Sequence, residues 1–237
     1  MKNHKHFTDP LSWIPRVICR LHSYWLGNMY PFLSIGSDFW AHYSCEIARP
    51  IARNISIGDS VRIDRDVWLN IPYNPGNNRP IIELGDGCRV GRRCMISAMN
   101  SVRIERDVVL SPSILLMDHN HAFEDINVPI CDQGITEGGT IRIEEGCWIG
   151  FGTTIVSSRG DLVIGKNSVV GANCVLTRSV PPFSLVTGNP GKVVKQFDGA
   201  AERGLAEPAR RELHPSSRTD LRPQCSCPQG FMDPNSK

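Results

Sequence analysis

The sequence has almost no excess of charge of either sign. Its 26 Lys and Arg stand against 24 Asp and Glu, a formal net charge of +2. That balance produces no field that argues for a nucleic acid or a strongly acidic partner. A long apolar run is also missing, so no transmembrane helix is expected. The opening residues, MKNHKHFTDP, are polar and helix-breaking, with no apolar stretch leading to a cleavage site. No secretory leader is therefore expected, and the expected location is cytoplasmic. The nine cysteines are odd in number and follow no paired spacing, which argues against a disulfide framework. What is present is ordinary for a soluble globular protein: 237 residues, 41% hydrophobic and 21% charged, enough for one substantial core or two small ones.

The organising feature is a repeat. An aliphatic residue recurs every six positions: Ile57, Ile63, Leu69; Leu84, Val90, Ile96; Ile104, Leu110, Leu116; Ile143, Ile149, Ile155; Ile164, Val170, Leu176. Four residues after most of these stands a small or medium residue, such as Val61, Cys88, Val108, Thr153 or Ser168. A period of six fits neither an amphipathic helix nor a half-buried strand. It fits a short strand and a turn, repeated, with positions one and five both facing inward. Gly directly after the aliphatic residue, as in Ile57-Gly58 and Val170-Gly171, is expected to relieve a sharp corner. Three hexads per coil make a triangular prism, and stacked coils bury the inward residues as a column. The fold expected is an all-β, left-handed parallel β-helix.

Cys88, Cys94, Cys147 and Cys174 all occupy position five, where free cysteine serves as a compact hydrophobe. Cys225 and Cys227 have no metal-ligand partners nearby in the sequence. The repeat divides the chain into an N-terminal helical segment at 1–32, the β-helix at 33–198, and a tail at 199–237 whose Pro, Arg, Ser and Glu predict disorder. In the first segment Pro15 to Leu26 reads as a short helix with Pro15 in its first turn, Gly27 at its end, and Val17, Ile18, Leu21 and Trp25 on one face. Such a helix either caps the open first coil or makes a weak membrane-surface contact, with Arg16 and Arg20 opposite the apolar face.

The repeat breaks at Leu116-Met117-Asp118-His119-Asn120-His121, where Asn120 takes an inward position poorly suited to a packed column. Rules that hold elsewhere tend to fail at functional sites. Strand alternation predicts that His119 and His121 both face outward, toward any neighbouring subunit. The insertion from Ala122 to Thr140 is long enough to form a loop covering a site. On its own, His-x-His suits a structural or metal-binding pair as readily as a catalytic one.

Over roughly residues 35–195 the chain resembles the hexapeptide-repeat acyltransferases, notably their sugar, antibiotic and polysaccharide O-acetyltransferases. Three stretches carry the likeness: Asp118-His119-Asn120-His121, Cys147-Trp148-Ile149-Gly150, and the run VPPFSLVTGNPGKVVK that ends at Lys195. The resemblance implies a homotrimer with active sites between subunits and acetyl-CoA lying along the groove. It implies His121 as the catalytic histidine with His119 in support, and Asp118 and Asn120 beside the acceptor. Trp148 and Gly150 would border the pantetheine arm, Ala172 and Thr177 would line the groove, and Lys192 and Lys195 would meet the phosphate or adenine end. Phe151 stands where some relatives carry Ser, which puts one expected hydrogen bond to the pantetheine in doubt.

The chemistry implied is modest. A sugar hydroxyl is a weak nucleophile near neutral pH, and a histidine can take its proton as it attacks the thioester. Backbone N–H groups near the corners are candidates for the oxyanion. No Ser-His or Cys-His constellation demands an acyl-enzyme. No metal is expected: the related anhydrase chemistry wants three zinc histidines, and of the seven here only His119 and His121 lie in the later coils. An amine acceptor on an amino-sugar nucleotide is the main alternative, followed by a non-catalytic β-helix scaffold. The partners expected are thus a small-molecule or glycan acceptor and further copies of the chain, with no nucleic acid.

Overall fold

Each hexad forms a strand of two or three residues and then turns, and three such turns close one coil of a prism. The computed structural model describes residues 13–73 and 76–197; the tail expected at 199–237 lies outside the described residues. The first face stacks Ser34–Ile35, Ile55–Ile57, Ile82–Leu84, Val102–Ile104, Gly138–Ile143 and Arg159–Ile164. The second stacks Trp40–Ala41, Arg62–Ile63, Arg89–Val90, Val109–Leu110, Trp148–Ile149, Val169–Val170, Ser184–Thr187 and Lys192–Gln196. The third stacks Glu46–Ile47, Trp68–Asn70, Met95–Ser97, Leu115–Met117, Thr154–Val156 and Val175–Leu176. All neighbours pair in parallel except Ser184–Thr187 with Lys192–Gln196, which closes the second face antiparallel. The chain is a left-handed parallel β-helix with a short N-terminal helix, as the repeat predicts.

Register explains why the hexads matter. Ile57, Leu84, Ile104, Ile143 and Ile164 pair in one inward ladder. Leu69, Ile96, Leu116, Ile155 and Leu176 form another. All are at most 2% exposed, as are the position-five residues between them. A one-residue slip would turn each ladder out to solvent, so the burial sets the register.

The glycines after the aliphatic residue serve a different purpose from the one expected. Gly58, Gly85, Gly91 and Gly150 do not have positive φ. A Cβ on any of them would strike the next coil; at Gly91 it would lie 2.7 Å from Pro112 N and 2.8 Å from Leu110 O. The left-handed conformation falls two residues later, at position four, on Ser60, Asp66, Gly87, Asp107, Gly146 and Asn173. Short polar residues and glycine tolerate that region best.

Position five carries a second regularity. At five such positions the side chain donates to a turn carbonyl of the following coil: Cys88 to Glu105 O at 2.9 Å, Cys94 to Ser111 O at 3.2 Å, Cys147 to Gly165 O at 3.2 Å, Thr153 to Gly171 O at 3.1 Å, Ser168 to Pro181 O at 3.1 Å. Burial pushes the Cys88, Cys94 and Cys147 thiols up to about 11, so none is disposed to act as a nucleophile.

The helix runs from Trp13 to Met29, longer than Pro15 to Leu26. Gly27 does not end it; a Cβ there would meet Ile35 Cδ1 at 3.3 Å, so its smallness admits the first strand. The packed stripe is Cys19, Ser23 and Leu26, whereas Val17, Ile18, Leu21 and Trp25 are exposed. Ser23 Oγ accepts the Ala41 N–H at 2.8 Å, a donor on the open edge of the first coil. The helix therefore caps that edge through a stripe other than its most apolar one. Among the described residues no helix is long and apolar enough to cross a membrane.

Gly91→Ala should destabilise the protein by about 1–3 kcal/mol, because its Cβ would meet backbone that cannot swing aside. Thermal unfolding measures this, and an unchanged midpoint would remove coil stacking as the reason for glycine there. Alkylation of the native protein at about pH 8 should label exposed Cys131 and spare Cys88, Cys94 and Cys147, whose raised pKa and burial keep them as protonated, shielded thiols. Peptide mapping by mass spectrometry reads the outcome, and rapid labelling of the three buried thiols would contradict it.

Candidate active site

The strand Leu115–Met117 ends at the corner between the third and first faces, and the next coil does not follow at once. Asp118 is fully buried there. Its Oδ1 accepts the Met99 N–H at 2.7 Å, and its Oδ2 accepts those of Asn100 at 2.8 Å and Ser101 at 2.9 Å. The carboxylate thus ties down the corner of the preceding coil. The loop returns over it: Gly139 N donates to Asp118 O at 2.7 Å, and Gly138, at φ +75°, passes where a Cβ would lie 2.7 Å from that oxygen. Asp118 was expected beside an acceptor; with no exposed surface it lies beneath the site instead.

The same Oδ1 lies 2.9 Å from Nδ1 of His119. His119 is only 7% exposed, against the expectation that both histidines face outward. The chain leaves strand geometry after Met117, so alternation no longer governs the direction of its side chain. With Nδ1–H donating to the carboxylate, the neutral ring carries its lone pair on Nε2. That nitrogen has no partner among the described residues, where the buried unpaired side-chain nitrogens and oxygens are His22 Nδ1 and Asn54 Oδ1; His119 Nε2 therefore reaches solvent. His121 is exposed, bridges Ile135 through its backbone, and has no side-chain hydrogen-bond partner among the described residues. Asn120 is half-buried rather than inward, with its backbone and amide held by Thr136 and Ser158.

The loop proper spans 122–137, shorter than expected, because Thr140 already belongs to the strand Gly138–Ile143. It presents Phe123, Ile126 and Ile130 to solvent, Ile126 being 94% exposed. An open hollow of 950 Å³ lies between the loop and Arg159–Gly160, lined by Ala122, Phe123, Gln133, Thr136 and Gly138. Neither histidine lines it.

Of the residues expected at the cofactor, Thr177 follows the third-face strand Val175–Leu176 on the same edge as the histidines, and the others lie elsewhere on the prism. Trp148 is 53% exposed on the second face, its Nε1 donating to Ser111 Oγ at 3.0 Å. Pairing puts Val109, Trp148, Val169, Leu185 and Lys195 in one outward row. Trp148 and Lys195 are three strand spacings apart, about 14 Å. Ala172 is exposed at the turn between the second and third faces. Thr177 and Lys192 share a hollow of 280 Å³ with Arg178, a cation that sequence reasoning passed over although it follows Thr177 directly. Gly150 departs from its expected role: it is buried, and a Cβ would lie 2.7 Å from Ala172 N, so coil stacking accounts for it.

Two groups of candidates therefore exist. The histidine corner joins the third and first faces, and in a triangular prism that edge is opposite the second face, where Trp148 and Lys195 stand. One chain does not bring them together. Among the described residues no group of three or more His, Cys, Asp or Glu could hold a metal ion.

No family model matches the chain. A probable acetyltransferase of Mycobacterium tuberculosis is 31% identical over 176 residues, 74% of this chain and 53% of that protein. A putative lipopolysaccharide biosynthesis O-acetyl transferase of Escherichia coli is 28% identical over 127 residues, 51% of this chain and 63% of that protein. The chain thus spans between about half and two thirds of the length of these relatives. Among solved structures, an N-acyltransferase from Bacillus cereus in complex with dTDP and 3-hydroxybutyryl-CoA superposes with a TM-score of 0.59 at 17% identity, covering 76% of this chain and 88% of that one. That likeness is one of fold. The hexads, the prism and the sequence kinship agree: the chain is similar in sequence to acetyltransferases and has the hexapeptide-repeat β-helix fold.

Proposed function

We propose that the protein transfers an acetyl group from acetyl-CoA to a hydroxyl of a sugar or polysaccharide precursor, in the cytoplasm and as a homotrimer, with His119 as general base. The observation that carries this reading is the buried Asp118 carboxylate holding His119 Nδ1 at 2.9 Å while Nε2 reaches solvent. A base needs a fixed ring, the right tautomer and an accessible lone pair. His121 has access but no partner to hold it, so the roles expected from the sequence are exchanged: His119 takes the proton, and His121 meets the acceptor.

In this mechanism His119 Nε2 removes the hydroxyl proton as the acceptor oxygen attacks the thioester carbonyl. The new C–O bond forms, the C–S bond breaks, and the imidazolium returns its proton to the departing thiolate. Asp118 stabilises the transient imidazolium without itself moving, held by three backbone N–H groups. An apolar outward row with Trp148 and Val169 that ends at Lys195 suits a pantetheine arm, and Lys192 with Arg178 suits phosphate. Because the histidine corner is opposite that face, a complete site takes His119 from one subunit and the Trp148 row from the next. The exposed apolar loop residues Phe123, Ile126 and Ile130 are available to that contact.

The hydroxyl acceptor is favoured by the kinship to the lipopolysaccharide O-acetyl transferase. The amine acceptor stands as a second reading, since the N-acyltransferase of similar fold has been solved with dTDP-4-amino-4,6-dideoxyglucose. A panel of hydroxyl and amine acceptors with acetyl-CoA, read by release of the CoA thiol, separates the two.

His119→Ala should lower kcat by about 10²- to 10⁴-fold, and His121→Ala by less, with its effect mainly on KM for the acceptor. A larger loss at His121 would return the base to that residue. Asp118→Asn should lose both activity and about 1–3 kcal/mol of stability, because an amide NH₂ cannot accept all the N–H groups aimed at it. Sedimentation should show a trimer. Mixing His119→Ala and Trp148→Ala subunits should restore activity, since a cyclic trimer containing both has one intact site; no recovery, or a fully active monomer, would refute the shared site.

A further inference from the structure

The N-terminal helix Trp13–Met29 caps the prism with one stripe and leaves another bare. Cys19, Ser23 and Leu26 face the protein. On the far side Trp13, Ile14, Ile18, Leu21, Tyr24 and Trp25 are all exposed, Leu21 at 65% and Tyr24 at 74%. At 100° per residue these six span about 140° of the helix, a continuous apolar face rather than scattered side chains. The strand-stacking that buries the other aliphatic residues cannot reach it, because the helix lies at the end of the stack against the first coil.

The helix itself carries charge of one sign. Trp13–Met29 contains Arg16 and Arg20 and no Asp or Glu. Arg16, Arg20 and Arg62 line one hollow of 410 Å³ with Val17 and Trp40, at the edge of the apolar face. Asp38 pairs with Arg62 at 3.1 Å, and Arg89 follows Arg62 in the same outward row of the second face. A second copy of this face would bring arginines toward arginines with no carboxylate from the helix between them, an unfavourable match. A surface that accepts tryptophan, tyrosine and leucine and presents anions beside them is complementary on both counts. Tryptophan and tyrosine partition to the headgroup level of a bilayer, and arginine at the flank reaches its phosphates.

We propose that this face docks on the surface of a bilayer containing anionic phospholipid, the helix lying in the interface with Arg16 and Arg20 toward the headgroups. The docking holds the protein at the membrane surface, and it is independent of the assignment of His119.

The test uses the full chain with vesicles of phosphatidylcholine alone and of phosphatidylcholine with phosphatidylglycerol, followed by co-sedimentation and tryptophan emission. The protein should bind the anionic vesicles with a blue shift, weakly or not at all the neutral ones, and less as salt is raised. Leu21→Glu with Trp25→Glu should lower partitioning at least about tenfold, with an unchanged circular dichroism spectrum and melting point, since both side chains are exposed. Arg16→Ala with Arg20→Ala should abolish the preference for anionic lipid, and this pair decides the matter if the glutamate variant fails to fold. Absent vesicle binding, or binding untouched by either pair, overturns the proposal. A change of oligomeric state in the glutamate variant without any vesicle binding would make the face a protein contact instead.

Discussion

The distance between one coil and the next governs everything else in this protein. Parallel strands stack at about 4.8 Å, so each turn must lie flat on the turn below. At Gly58, Gly85, Gly91 and Gly150, all in position two, the backbone of the next coil comes so close that a Cβ would collide with it. The stacking forces a left-handed residue at position four, even where the side chain does not favour it, as at Arg93 and Phe183. It also brings position five under the turn carbonyl of the following coil, which is why Cys, Thr and Ser alternate there with Val and Ile. The hydrophobic column follows from these contacts as much as it drives them.

The candidate site arises where that constraint is released. After Met117 the chain cannot lay the next turn directly, because the loop intervenes, and the corner of the preceding coil at Met99 to Ser101 loses the turn that would have covered it. Asp118 supplies the acceptors for those backbone N–H groups. Having been buried for a structural reason, the carboxylate then orients His119. One side chain thus repairs the interrupted stack and orders the neighbouring imidazole, so the stability of the corner and the orientation of His119 are coupled.

The repeat made the fold legible because its period is local: every hexad states the same inward positions, and fifteen aliphatic anchors from Ile57 to Leu176 are in their expected ladders. The helix was legible as a helix, but not its packed face. Its most apolar stripe is the conspicuous one in sequence, whereas the cap needed a hydroxyl at Ser23 to meet the Ala41 N–H. The glycines after the aliphatic residues are conspicuous in the sequence, but the approach of another coil that requires them is not visible in the residues flanking them. Gly150 and Asp118 were drawn into the site by their position beside Trp148 and His119, yet both are buried by contacts with other coils.

The amino-acid sequence by itself determined the prism, its register and the place where it breaks, because periodic burial and a missing hexad are properties of neighbouring residues along the chain. The tertiary structure decided which histidine is held and which is free, since that depends on Asp118 reaching Met99, Asn100 and Ser101 one coil away. It also decided that the histidine corner and the Trp148 row lie on opposite sides of one chain. Three-fold winding fixes which face each hexad occupies, and that count is meaningful only once the coils close.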